Sequence, residues 1–216
     1  MVKHSKRTKV FQLSLVIIFI LVLLGLFVPQ QFQNISSYLK NLLTTSVGWF
    51  YLLLVTGILI FCVFLIVSPI GQIRLGNPTS RPEHSTTSWI AMMFSAGMGI
   101  GLVFYGAAEP LSHFAISTPN AKIGSADALA DAFRFTFFHW GFHAWAVYAL
   151  VGLSLAYFGF RKREKYQLSV VFKPLFGKYA DGPIATIIDT ITIIATVIGV
   201  ATTLGFGASQ INGGPS

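Results

Sequence analysis

The 216-residue sequence is 54% hydrophobic and only 10% charged, with a mean hydropathy of +0.69, a balance that excludes an ordinary water-soluble domain. Its net charge of +8 is not a nucleic-acid footprint, because the basic residues gather between apolar runs. The single Cys62 lies inside one such run, which excludes an internal disulfide and leaves the redox compartment open.

Runs of the length that crosses a hydrocarbon core, about 20 residues, fall at Val10–Val28, Val47–Val67, Trp89–Tyr105, Phe135–Gly159 and Pro183–Phe206. The expectation is an all-α, polytopic membrane protein with five transmembrane helices. The first run follows the basic stretch MVKHSKRTK. It is too long for a signal-peptide core, and FVPQQFQ offers no small-residue cleavage site, so an uncleaved span is expected. The first two runs are built from Leu, Ile, Val and Phe, and residues 1–88 read as a tail and two anchoring or packing helices. Between the second and third runs, SPIGQIRLGNPTSRPEHSTTS carries turn residues that forbid a continuous helix.

The third run contains FSAGMGIGLVFYGAAEP, with Gly97, Gly99 and Gly101 on alternate positions, where each glycine weakens a helix by about 1 kcal/mol relative to alanine. A phosphate loop would need a preceding strand and a soluble parallel sheet, which this composition does not provide. Two readings remain: close packing through Gly97 and Gly101 on one helical face, or a helix that unwinds within the membrane so that backbone meets an ion or substrate. After this run, EPLSHFAISTPNAKIGSADALADAFRF reads as an outer connector, with Glu109 and Asp131 as loop or boundary charges. It ends on a helix start, Ser125 ahead of Ala126 and Asp127.

On the fourth run, Trp140, Trp145 and Tyr148 fall at about 0°, 140° and 80° around a continuous helix. Such rings are packing or an interface belt, or one wall of a site for a cation without N–H donors, which the ring face attracts. His139 and His143 lie four apart, but no Glu sits between them in the zinc-protease pattern and no carboxylate is close in sequence. Structural hydrogen bonding is therefore expected of them rather than a metal.

The following connector, RKREKYQLSVVFKPLFGKY, reads as an interfacial segment. The fifth run carries Thr186, Thr190, Thr192, Thr196, Thr202 and Thr203. Their hydroxyls bond back to their own helix or, at Thr196, offer a neutral oxygen to a hard cation. Asp189, an ionisable residue inside a span, is a functional candidate by default, near enough to the basic connector to be satisfied there. No nucleophile–base or metal set appears in the runs, so an enzyme is not expected.

Twelve Lys and Arg residues fall in the N-terminal tail and the second and fourth connectors, against three in the first and third. This bias places the N-terminus in the cytoplasm and the C-terminus outside. Contact with anionic membrane lipids is expected of the fourth connector.

Taken together, AGMGIGLVFYGAAEP, FFHWGFHAWAVYALVG and LGFGASQINGG resemble the N-terminal part of the betaine/carnitine/choline transporter family, over about Val10 to Gly214. The resemblance implies a secondary carrier of quaternary-ammonium osmolytes such as glycine betaine in the cell membrane, without an organic cofactor. It also implies a fold of two inverted five-span repeats behind two extra helices, LeuT-like, of which residues 89–216 are the first part of the first repeat. Trp140, Trp145 and Tyr148 match the family's substrate-binding aromatics, and Gly97, Met98, Gly99, Ile100 and Gly101 match its unwound stretch. Ser95 and Met98 match positions of one sodium site and Thr196 a position of another. Gly101 stands where proton-coupled choline carriers tend to have an aspartate, which favours sodium coupling. Val200 occupies a position where sodium-coupled members can carry a second threonine, and its side chain offers no oxygen. The family continues through a second repeat and hints at a trimer. Little or no transport is expected of this stretch alone, because the charge bias forbids two copies pairing in opposite orientations. A non-transporting membrane interaction protein and a proton-coupled choline or carnitine carrier are the alternatives.

Overall fold

The computed structural model describes residues 2–97, 99–116 and 121–213, and all regular structure among them is helical. The chain forms two compact units, Met1–Asn77 with Val147–Val197, and Pro78–Ala146 with Ile198–Ser216.

In the first unit, α1 (Val2–Phe27) and α2 (Pro29–Val67) are separated only by Val28, whose φ of −136° and ψ of 52° leave the helical region. Pro29 then takes a first-turn position, where its missing N–H costs nothing. The connector expected between the first two apolar runs, including Lys40, is therefore helical. No Gly or Pro occurs from Gln30 to Val47 to stop it, and the Thr44 hydroxyl folds back onto the Lys40 carbonyl at 2.9 Å. With 39 residues, α2 is roughly 58 Å long, about twice the hydrocarbon thickness. A 3₁₀ turn at Pro69–Gln72 and irregular backbone follow, as the turn residues predict.

The later part of this unit starts within α6 (Phe142–Ala156), which ends in a π-helical turn, Tyr157–Arg161. Arg161 donates to the Arg74 carbonyl at 3.0 Å and Arg163 to Asn77 Oδ1 at 3.2 Å. The segment expected at an interface folds as α7 (Leu168–Val171), α8 (Lys173–Phe176) and a 3₁₀ turn, Gly177–Asp181. Lys173 reaches back to Glu164 at 3.0 Å, and that carboxylate raises the lysine's pKa above its ordinary value. Asp189, on α9 (Pro183–Asn212), is buried and accepts from Ser169 N at 3.1 Å and Ser169 Oγ at 2.9 Å. The acid inside the last apolar run is thus held by the start of α7.

In the second unit the third apolar run is two helices, α3 (Thr86–Gly97) and α4 (Ile100–Ala115). Neither is long enough alone to cross a membrane. Among the described residues, four helical stretches are each long and apolar enough to do so, Lys9–Phe27, Pro29–Val67, Ala126–Arg161 and Pro183–Asn212. Helix α4 runs past Glu109 and Pro110 into what reads as outer connector, so Glu109 is a helical residue.

Ser125 caps α5 (Ala126–Trp140), its hydroxyl accepting from Ala128 N at 3.1 Å, with Asp127 in the first turn. Helix α5 packs on α4 and buries Ala128, Asp131, Ala132 and Thr136. Small residues four apart, Ala128 and Ala132, let backbones approach closely. Asp131 is thus a helical residue, not a loop charge, buried and ion-paired with Arg134. Ser125→Ala should cost about 1 kcal/mol of stability, read as a lower thermal midpoint in detergent, and Ser125→Asp should retain it.

Candidate functional site

Gly99, at the interruption between α3 and α4, has φ −68° and ψ 176°, an extended conformation open to any residue. Its carbonyl accepts from Leu102 N at 3.0 Å and closes the first turn of α4. A side chain built at Gly99 would meet nothing within 4 Å. Neither backbone strain nor a close described neighbour therefore calls for glycine here. Gly97 ends α3, while Ile100 and Gly101 begin α4, so Gly97 and Gly101 do not share a face of one continuous helix. Met98 lies outside the described residues. Ser95 is an exposed residue of α3.

Two helix ends meet at this break. The last carbonyls of α3 and the first N–H groups of α4 lack intrahelical partners and carry the partial negative and positive charges of their helix dipoles. The sequence provided this feature openly, because alternate glycines inside an apolar run are a local signal.

The fourth apolar run is also interrupted. Helix α5 ends at Trp140 and α6 begins at Phe142, with Gly141 at φ −85° and ψ −155°. A Cβ at Gly141 would lie 2.4 Å from the Phe137 carbonyl oxygen, so the broken conformation does require glycine. This corrects the wheel on which Trp140, Trp145 and Tyr148 share one side, because that wheel assumes a continuous helix. Across the break, Trp145 Nε1 donates to the Trp140 carbonyl at 3.0 Å. Tyr148 lies further along α6, in the first unit, and is 72% exposed.

Around Trp140 the structure gathers residues that reading the sequence passes over. Its indole lies 5.8 Å from the Tyr105 ring, Tyr105 meets Phe206 edge-on at 5.3 Å, and Phe104 stacks on Phe206 at 5.0 Å. Glu109, with its side chain only 11% exposed, accepts from Trp140 Nε1 at 2.7 Å through Oε2 and meets His139 Nδ1 at 2.7 Å through Oε1. Against an ionised carboxylate, which only accepts, Nδ1 carries the proton. His113 Nε2 stands 3.6 Å from Oε1. His139 thus does have a carboxylate beside it, thirty residues away in sequence, and its role is a hydrogen bond. No group of three or more His, Cys, Asp or Glu able to hold a metal ion occurs among the described residues.

Thr196 donates to the Thr192 carbonyl at 2.8 Å, and Thr192, Thr202 and Thr203 likewise bond back to their own helix. A hydroxyl so engaged keeps oxygen lone pairs for a cation. Thr190 differs, its Oγ1 being buried with no hydrogen-bond partner among the described residues.

Residues 9–216 match the family described as BCCT, betaine/carnitine/choline family transporter. The chain is 52% identical over 214 residues to the glycine betaine transporter OpuD of Bacillus subtilis (strain 168), covering 99% of this chain and 41% of that protein. It is 44% identical over 207 residues to a probable glycine betaine transporter of Desulfitobacterium hafniense (strain Y51), covering 96% and 42%. With an ectoine/hydroxyectoine transporter of Virgibacillus pantothenticus it shares 42% over 213 residues, covering 98% and 42%. The chain spans about two fifths of the length of these relatives, and it belongs to the betaine/carnitine/choline transporter family of membrane proteins.

Proposed function

We propose that this chain forms the N-terminal part of a sodium-coupled carrier that takes up glycine betaine or a related quaternary-ammonium osmolyte. It sits in the cytoplasmic membrane with its N-terminus inside. The observation that carries this reading is the interruption at Gly99. Neither backbone strain nor a close described neighbour demands glycine there, and we read the break it sits in as serving a ligand rather than packing. Glycine betaine is a zwitterion, and the helix ends at the break offer a partial charge of each sign. The aromatic rings of the fourth run supply the face that suits a quaternary ammonium. Ser95, Met98 and Thr196 are assigned to sodium, and α3 with α4 together make the third of five crossings in a partial inverted-repeat fold.

The test is uptake of labelled glycine betaine, with and without sodium, into cells lacking their own carriers. This chain is compared with a version continued through a second repeat. Sodium-dependent uptake by the longer version alone is expected. Sodium-independent uptake would remove the coupling, and uptake by the short chain would show that five crossings suffice. The competing reading, a membrane protein whose glycines only pack helices, is separated by Gly99→Leu. A folded variant without uptake supports the site, whereas loss of folding supports packing.

A further inference from the structure

Glu109 grips two consecutive residues at the last turn of α5. One carboxylate oxygen lies 2.7 Å from the Trp140 indole nitrogen and the other 2.7 Å from His139 Nδ1. Both donors sit immediately before the Gly141 break. Bonds to a charged acceptor are about twice as strong as neutral ones; the one from Nε1 restrains the rotation of the indole about its own bonds, while the one from His139 holds the carboxylate in place. The indole is held by its edge, through Nε1, with the Tyr105 ring beside it at 5.8 Å and the His139 ring at 5.4 Å.

From this geometry we infer that Glu109 is a positioning residue for the solute: it sets the angle at which Trp140 presents its ring to a quaternary ammonium. The inference rests on the betaine-carrier reading given above. Glutamate is specifically suited, because both donors point at acceptors. A glutamine side chain places an oxygen against only one of them and turns an NH₂ toward the other.

The test has two arms. In the purified chain labelled with ¹⁵N-tryptophan, the indole signal lost on Trp140→Phe identifies Trp140. Glu109→Gln should shift that signal upfield and leave the Trp49 indole in place. In the longer carrier, Glu109→Gln should raise KM for glycine betaine roughly tenfold, the size of one lost charge-assisted bond. In a Trp140→Phe background, which lacks the Nε1 hydrogen, the same change should raise KM less than about twofold, since the pair acts as one unit. An unmoved Trp140 signal overturns the inference. So does a Glu109→Gln effect of equal size in both backgrounds, which would mark a general structural role. If Trp140→Phe itself leaves KM unchanged, the assignment of Trp140 to the solute fails, and this inference with it. If the longer carrier shows no betaine uptake, the carrier reading fails, even where the indole signal moves as expected.

Discussion

Asp189→Ala should release the segment Leu168–Phe176 from α9 and raise the rate of tryptic cleavage just before it, after Arg163 and Lys165, by one to two orders of magnitude. The reason is the local accounting of donors. Ser169 is 1% exposed, and both its amide and its hydroxyl point at the Asp189 carboxylate. Removing that acceptor leaves two buried donors unpaired, at about 1–3 kcal/mol each. Water entering the cleft recovers part of this, so a net loss of about 2 kcal/mol is expected, enough for a roughly thirtyfold change in an opening equilibrium. Asp189→Asn, which keeps one oxygen, should fall between. Ser169→Ala removes only the hydroxyl bond and should open the segment less than Asp189→Ala does. Unchanged cleavage in Asp189→Ala would mean that the segment is held by its apolar side chains and that the carboxylate has some other task.

Gly141→Ala is expected to close the break between α5 and α6. Two tendencies act together here. The added Cβ cannot remain in the present conformation, 2.4 Å from the Phe137 carbonyl oxygen, and alanine favours a continuous helix over glycine by about 1 kcal/mol. Straightening would turn α6 about the chain axis relative to Trp140 and break the bond from Trp145 Nε1 to the Trp140 carbonyl. The ¹⁵N spectrum should therefore show the Trp145 indole shifted while the protein remains folded. In the longer carrier, betaine uptake should fall at least tenfold, because about 1.4 kcal/mol of misplacement suffices for that. Retained uptake with a shifted Trp145 signal would show that the angle between α5 and α6 does not set the solute's surroundings.

These two positions also show what a single sequence can and cannot disclose. The cap at Ser125, the turns after Pro69 and the interruption around Gly99 are written in neighbouring residues, and reading along the chain finds them. The Gly141 break is one glycine in an apolar run, where a tolerated glycine and a required one look alike. The helical stretch of α2 before Val47 is hidden for a different reason: an apolar run measures what a membrane can hold, whereas a helix can continue through polar residues beyond it. Glu109 with His139 and Trp140, and Asp189 with Ser169, join residues thirty, thirty-one and twenty positions apart. Such pairs depend on how helices lie against each other, and no local pattern announces them. The aromatic residues of the fourth run were legible as a chemical type, but not the Tyr105 and Phe206 rings gathered with Trp140.

Among the described residues, the buried apolar side chains are Val10 and five alanines, while Phe, Leu, Ile and Val of the long helices face outward. In a bilayer those outward groups meet hydrocarbon before and after helices separate, so little apolar surface passes into water when the fold comes apart. The large positive heat-capacity increment of a soluble domain, about 12–15 cal/mol/K per residue, has its source in that passage. Here it should nearly vanish. Stability would then change almost linearly with temperature instead of passing through a maximum, and cooling alone would give this chain no route to unfolding.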